Sequence, residues 1–234
     1  MSRFSAFRTW IVVGVFCSAP ALAQAQQQFG LPGEYVTQRG AAPNGTSLDV
    51  TYFTIGAFTG SQLTAMNAAA SVWNAAGANV QLITGPSSHV VFVFDTPIGS
   101  PGLTTVVPTA PLGTYPDGTT FHGIVGAAIQ ADGSLLSWHT DPNTPAGAGE
   151  LDFISFMIQQ FGFALGLGNT GLDAGSVMTP IGVGTTQRTL SAGDIAALQT
   201  LYGAPEPATW ALFGVGLAAL GAMKKSRRRS TPAL

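Results

Sequence analysis

The groups in this chain able to do chemistry are few: three histidines, His89, His122 and His139, one cysteine, Cys17, and carboxylates with almost no cations among them. His139 and Asp141 form an H-x-D pair in a polar stretch after Trp138, residue types that a divalent metal accepts as ligands, and His122 and His89 are the other imidazoles. Such side chains in a polar loop are more often simply solvated. Ser176 has no G-x-S-x-G setting to make it a nucleophile. Cys17 lies in an apolar N-terminal run behind Phe16, too large for a lipid-attachment box, so a chain cut after that run holds no cysteine and no disulfide. Between Gln26 and Ala204 the basic residues are Arg39 and Arg188, against ten Asp and Glu, giving 2 − 10 = −8. An acidic body without a basic, aromatic-studded patch excludes nucleic acid as a partner.

These groups must be positioned by a small set of elements. Leu151 to Leu165 repeats apolar residues at Ile154, Ile158, Phe161 and Leu165, which predicts a helix with Asp152 in its first turn, stopped by Gly166 and Gly168. Before it, Leu48 to Ile55, Val80 to Ile83, His89 to Phe94 and Ile124 to Gln130 read as strands, and Ile98 to Gly118 as largely loop. A first helix capped by Ser61 carries Leu63, Met66, Ala70 and Trp73 and ends near Gly77. A last helix opens with Ser191 and Asp194 as a capping box and buries Ile195, Leu198 and Leu201 before Gly203. This order predicts an α/β (α+β) layered domain with a mixed sheet and three main helices, of roughly 160 residues and without internal repeats.

The segment Gln159-Gln160-Phe161-Gly162-Phe163-Ala164-Leu165-Gly166-Leu167-Gly168-Asn169 resembles the zinc helix and glycine turn of matrixin-type metzincin proteases, whose signature is H-E-x-x-H-x-x-G-x-x-H. Ser176-Val177-Met178-Thr179-Pro180 resembles the methionine turn of that family, Leu190 to Gly203 its closing helix, and Ser71 to Asn79 its early tryptophan-bearing helix. The resemblance implies a metzincin-like zincin fold, and it also shows what is missing. The three zinc-ligand positions hold Gln159, Phe163 and Asn169, and the general-base position holds Gln160. A phenyl ring has no lone pair to offer, neutral amides suit hard ions better than zinc, and a glutamine does not titrate. The expected cofactor is therefore none, and no catalytic residue is assigned.

The two ends carry addresses. Residues 1–25 combine Arg3 and Arg8, the apolar run Trp10 to Phe16 and the small-residue exits Ala21-Leu22-Ala23 and Ala23-Gln24-Ala25, the layout of a secretory signal cut by signal peptidase after Ala23 or Ala25. Residues 26–47 read as an irregular leader and 48–203 as the matrixin-like domain. Residues 204–234 begin with Pro205-Glu206-Pro207, continue through an apolar helix at 208–223 and close on a basic cluster with Arg227, Arg228 and Arg229. Sixteen apolar residues span about 24 Å as a helix, short of a ~30 Å hydrocarbon core, a shortfall that Trp210 and snorkelling Lys224 can cover. The arginines keep this end cytoplasmic. The order of tripeptide, short helix and basic cluster resembles the PEP-CTERM sorting signal. That resemblance implies an exosortase-type enzyme as partner, transient anchoring in the inner membrane, and release to the cell surface or extracellular matrix.

Three readings of function follow. One is an exported, non-catalytic surface or matrix protein that binds or scaffolds, with an extended peptide or an exopolysaccharide as ligand. The alternative is a zinc metalloendopeptidase with non-standard ligands drawn from His122, His139 and Asp141. The third makes the domain a passive passenger of its sorting tail.

Overall fold

The computed structural model describes residues 34–37, 46–98, 100–114, 120–132, 137–168 and 175–203. The chain enters the sheet earlier than expected, at Glu34–Thr37 (β1), inside the stretch read from sequence as irregular leader. Leu48–Ile55 (β2) follows, then helix α1 over Gly60–Asn74. The start of α1 corrects the expected cap. Thr59, not Ser61, accepts from the Gln62 N–H at 3.2 Å, and the Gln62 side chain returns to the Thr59 N–H at 2.8 Å, a reciprocal pair that Ser61 is too far along the chain to make.

Val80–Ile83 (β3) and His89–Asp95 (β4) form as their β-rich runs predict. The larger correction is Gly102–Thr114 (β5), thirteen residues of strand within the stretch expected to be loop. Pro108 and Pro111 suggested a break, but β5 pairs on one flank with Thr120–Ala131 (β6). Register shifts at Val107/Pro108, Pro108/Pro111 and Pro111/Gly113 absorb the missing N–H groups. Trp138–His139 (β7) and Leu151–Asp152 (β8) make a short separate parallel pair. Helices α2, Phe153–Ala164, and α3, Ala192–Tyr202, complete the described elements.

The main sheet is mixed. β1, β4, β2 and β3 run parallel to β6, with β1 and β4 sharing one flank of β6 and antiparallel β5 on the other. One face of the sheet, carrying Val50, Tyr52, Val91, Val93, Ala127 and Ile129, joins Met66 and Trp73 of α1 and Phe161 of α2 in a single core. On the opposite face Phe53 and Phe92 lie exposed with ring centroids 6.3 Å apart. The far edge is closed by a side chain: the Asn74 carboxamide accepts from the Leu82 N–H at 2.7 Å and donates to the Leu82 carbonyl at 2.9 Å, taking backbone positions a further strand would use.

All twelve residues of α2 are buried, as suits a helix apolar on nearly every side. Among the described residues no helix is long and apolar enough to cross a membrane. The signal segment 1–25 and the apolar stretch 208–223 lie outside the described residues.

Candidate functional site

Helix α2 carries the positions singled out by sequence, and its placement begins with Asp152. The Asp152 side chain accepts from the Ser155 N–H at 3.4 Å and from the Ser155 hydroxyl, so it is the helix N-cap and not a first-turn residue. At the other end the chain reverses at Gly166, whose φ of +95° strains any side-chain-bearing residue. Between these ends the helix is gripped at Gly162. A Cβ there would meet the Met178 sulfur and come within 2.8 Å of the Trp73 ring, so the missing side chain lets the methionine turn and α1 close on the helix. The Trp73 indole N–H donates to the Ile158 carbonyl at 2.8 Å, which fixes that approach.

Gln159 and Gln160 both point into protein. The Gln159 side-chain amide donates to the Thr179 carbonyl at 2.7 Å, one residue past Met178. The Gln160 side-chain carbonyl accepts from the Thr104 hydroxyl of β5 at 2.6 Å, and both partners are buried. Phe163 is buried in the core and Met178 is buried beneath the helix. Asn169 lies outside the described residues. These side chains do not fit a zinc ion. Gln159 presents its donor end to a carbonyl, Gln160 directs its one acceptor oxygen at a hydroxyl, and Phe163 has no donor atom.

The turn bearing Met178 is held by a carboxylate from α3. Asp194 accepts from the Ser176 hydroxyl at 2.5 Å, the Val177 N–H at 3.1 Å and the Ser191 N–H at 2.8 Å, so the capping box read from sequence also braces the turn. This gives Ser176 a positioning task, since its hydroxyl oxygen also accepts from the Met178 N–H at 3.1 Å.

The histidines are dispersed. His139 contacts Glu150 through Nδ1 at 3.2 Å, and its Nε2 lies 2.9 Å from the Thr144 carbonyl. Asp141 accepts from the Asn143 N–H and the Thr144 hydroxyl, and these bonds hold its carboxyl below the usual carboxylate range. His122 Nδ1 contacts the Thr109 carbonyl across the β5–β6 pair at 3.0 Å. Among the described residues no three His, Cys, Asp or Glu side chains gather as a metal site.

Sequence reasoning missed a forked ion pair at the start of α2. Arg188 forks onto Asp152 with Nε and Nη2 at 2.8 Å from the two carboxylate oxygens, and its other N–H groups reach the Pro142 carbonyl at 2.8 Å and the Asp141 carbonyl at 3.0 Å. Asp152 is wholly buried, while the Arg188 side chain is 17% exposed. A signal was available: Arg188 is the sole cation between Arg39 and Lys224, in a segment rich in carboxylates.

Comparison with known proteins adds the address. Residues 204–229 match the PEP-CTERM protein-sorting motif. That motif indicates export, membrane anchoring before sorting, and processing by an exosortase-type enzyme. Pro205, Glu206, Pro207, Arg227, Arg228 and Arg229 all fall within it, outside the described residues. No curated protein matches the chain significantly. Among solved structures it is similar to high choriolytic enzyme 1, a hatching enzyme zinc-protease from the medaka fish Oryzias latipes. The identity is 12%, covering 77% of this chain and 100% of that one, with a TM-score of 0.41. At that overlap the likeness carries no statement about chemistry.

Proposed function

We propose that this is an exported cell-surface or matrix protein, released by exosortase-type sorting, whose metzincin-like domain binds or scaffolds without hydrolysing its partner. One observation carries the non-catalytic part. Three of the four residues at the zinc-ligand and general-base positions, Gln159, Gln160 and Phe163, are buried, and both glutamine amides hydrogen-bond to other parts of the same domain. Hydrolysis needs a polarising ion and a titrating base with access to substrate, and these side chains supply neither.

A binding role is supported by the sheet edges. The β3 edge is closed by Asn74, whereas β5 pairs with β6 alone among the described strands and leaves one flank for an extended chain to add to. The bulges and prolines of β5 limit such pairing to short stretches, which suits selective recognition better than open-ended aggregation.

The test takes the purified mature protein and an unfolded polypeptide labelled for both binding and cleavage. Saturable binding with no cleavage, unchanged by chelator or added zinc, is the expected result. Chelator-sensitive cleavage would establish the metalloendopeptidase alternative. Replacing Pro205, Glu206 and Pro207 by alanine should retain the protein in the membrane fraction, and normal release of that variant would contradict exosortase-dependent sorting.

A further inference from the structure

In a zinc hydrolase of this layout the ion would join the helix to the chain beyond it, and here the same helix positions have taken on a different connecting task. We infer that Gln159 and Gln160 are mechanical fasteners that replace a metal crosslink, tying α2 to the edge strand on one side and to the methionine turn on the other. This rests on the non-catalytic reading given above.

The geometry is specific. Gln160 reaches β5 through the Thr104 hydroxyl at 2.6 Å, and Gln159 reaches the turn through the Thr179 carbonyl at 2.7 Å. The two residues are adjacent on α2 and hold separate segments, so the helix is pinned from two directions. The chemistry of the pair also fits. A buried neutral amide keeps hydrogen-bonding ability without the desolvation cost of a charge. Among the described residues a carboxylate at position 160 would find no free counter-ion, because Arg188 is the only Lys or Arg there and Asp152 already holds it. Glutamine is thus the residue that keeps the reach of a catalytic glutamate while removing its dependence on a metal.

A glutamate restored alone should make the fold sensitive to pH. Burial would raise its folded-state pKa, so the variant should hold its full stability below the ordinary glutamate value of about 4.3 and lose it as pH rises through the raised value.

The experiment measures Tm of the full chain and its variants by circular dichroism, with and without chelator or added zinc. Gln160→Met keeps the volume and removes the acceptor, leaving the Thr104 hydroxyl unpaired, and should lower Tm by roughly 2–10 °C. Adding Thr104→Val to Gln160→Met should cost less than the sum of the two single losses. Gln160→Glu should match the natural protein near pH 4 and fall below it near pH 8, a comparison that survives if Gln160→Met fails to fold. Zinc and chelator should leave the natural Tm unchanged. Additive losses, or a Gln160→Glu variant whose Tm difference ignores pH, would overturn the fastener while leaving the non-catalytic reading intact. A natural Tm that falls with chelator or rises with zinc would overturn both.

Discussion

Removing the guanidinium of Arg188 should be among the most damaging single changes in the domain. Arg188→Met keeps the length of the side chain but strands the Asp152 carboxylate, which has no exposed surface and would retain only the Ser155 N–H and hydroxyl. Breaking a buried pair from one side costs about 3–5 kcal/mol, because the surviving charge stays in a poorly solvated site. Domains of this size lose about 2–4 °C of Tm per kcal/mol, so Tm should drop by roughly 6–20 °C. Asp152→Asn keeps the helix cap while removing the charge, so a double-mutant cycle isolates the ion pair. The two substitutions together should cost less than their sum by about 1–3 kcal/mol. Urea denaturation of the four proteins, followed by circular dichroism, supplies the free energies. A loss below about 1 kcal/mol for Arg188→Met, the scale of a solvated surface pair, would refute the reasoning, as would simple additivity.

Two further outcomes are specific to single contacts. Gly162→Ala gains helix propensity of about 1 kcal/mol but drives a methyl into the Met178 sulfur and the Trp73 ring, where overpacking costs about 1–3 kcal/mol; net destabilisation in urea melts is expected, relieved by a second substitution Met178→Ala. The Tyr52 phenol is pushed up by burial and donates to Asn67 at 2.5 Å, so it favours the fold while neutral. Its contribution is present below about pH 10 and fades as pH climbs through the raised value, so Tyr52→Phe should flatten the alkaline fall in stability measured by pH titration of Tm.

How much of this was legible in the sequence follows the range of the interactions. Strands β2, β3, β4 and β6, and the helices α2 and α3, announced themselves because β-rich runs and helical spacing are local, and the Ser191–Asp194 box was readable for the same reason. Strand β5 was not, because Pro108 and Pro111 forbid a central strand but are tolerated at an edge, and edge position is a property of the whole sheet. The cap of α1 slipped by two residues because Thr59 and Ser61 are equivalent until Gln62 chooses between them. At the candidate site, the absence of imidazole and carboxylate was plain from residue identity. What the amides do instead depends on Thr104 and Thr179, 56 and 20 residues away, and the Asp152–Arg188 pair spans 36. No spacing rule carries information over such distances.

The most direct test of the central claim is the zinc content of the purified protein after metal loading and desalting, measured beside a variant carrying Gln159→His, Gln160→Glu, Phe163→His and Asn169→His. The account predicts almost no zinc in the natural protein and about one ion per molecule in the variant, since the restored side chains are deprotonatable ligands on a scaffold that already has the glycine turn and Met178. One tightly held ion in the natural protein would contradict it and turn attention to His122, His139 and Asp141.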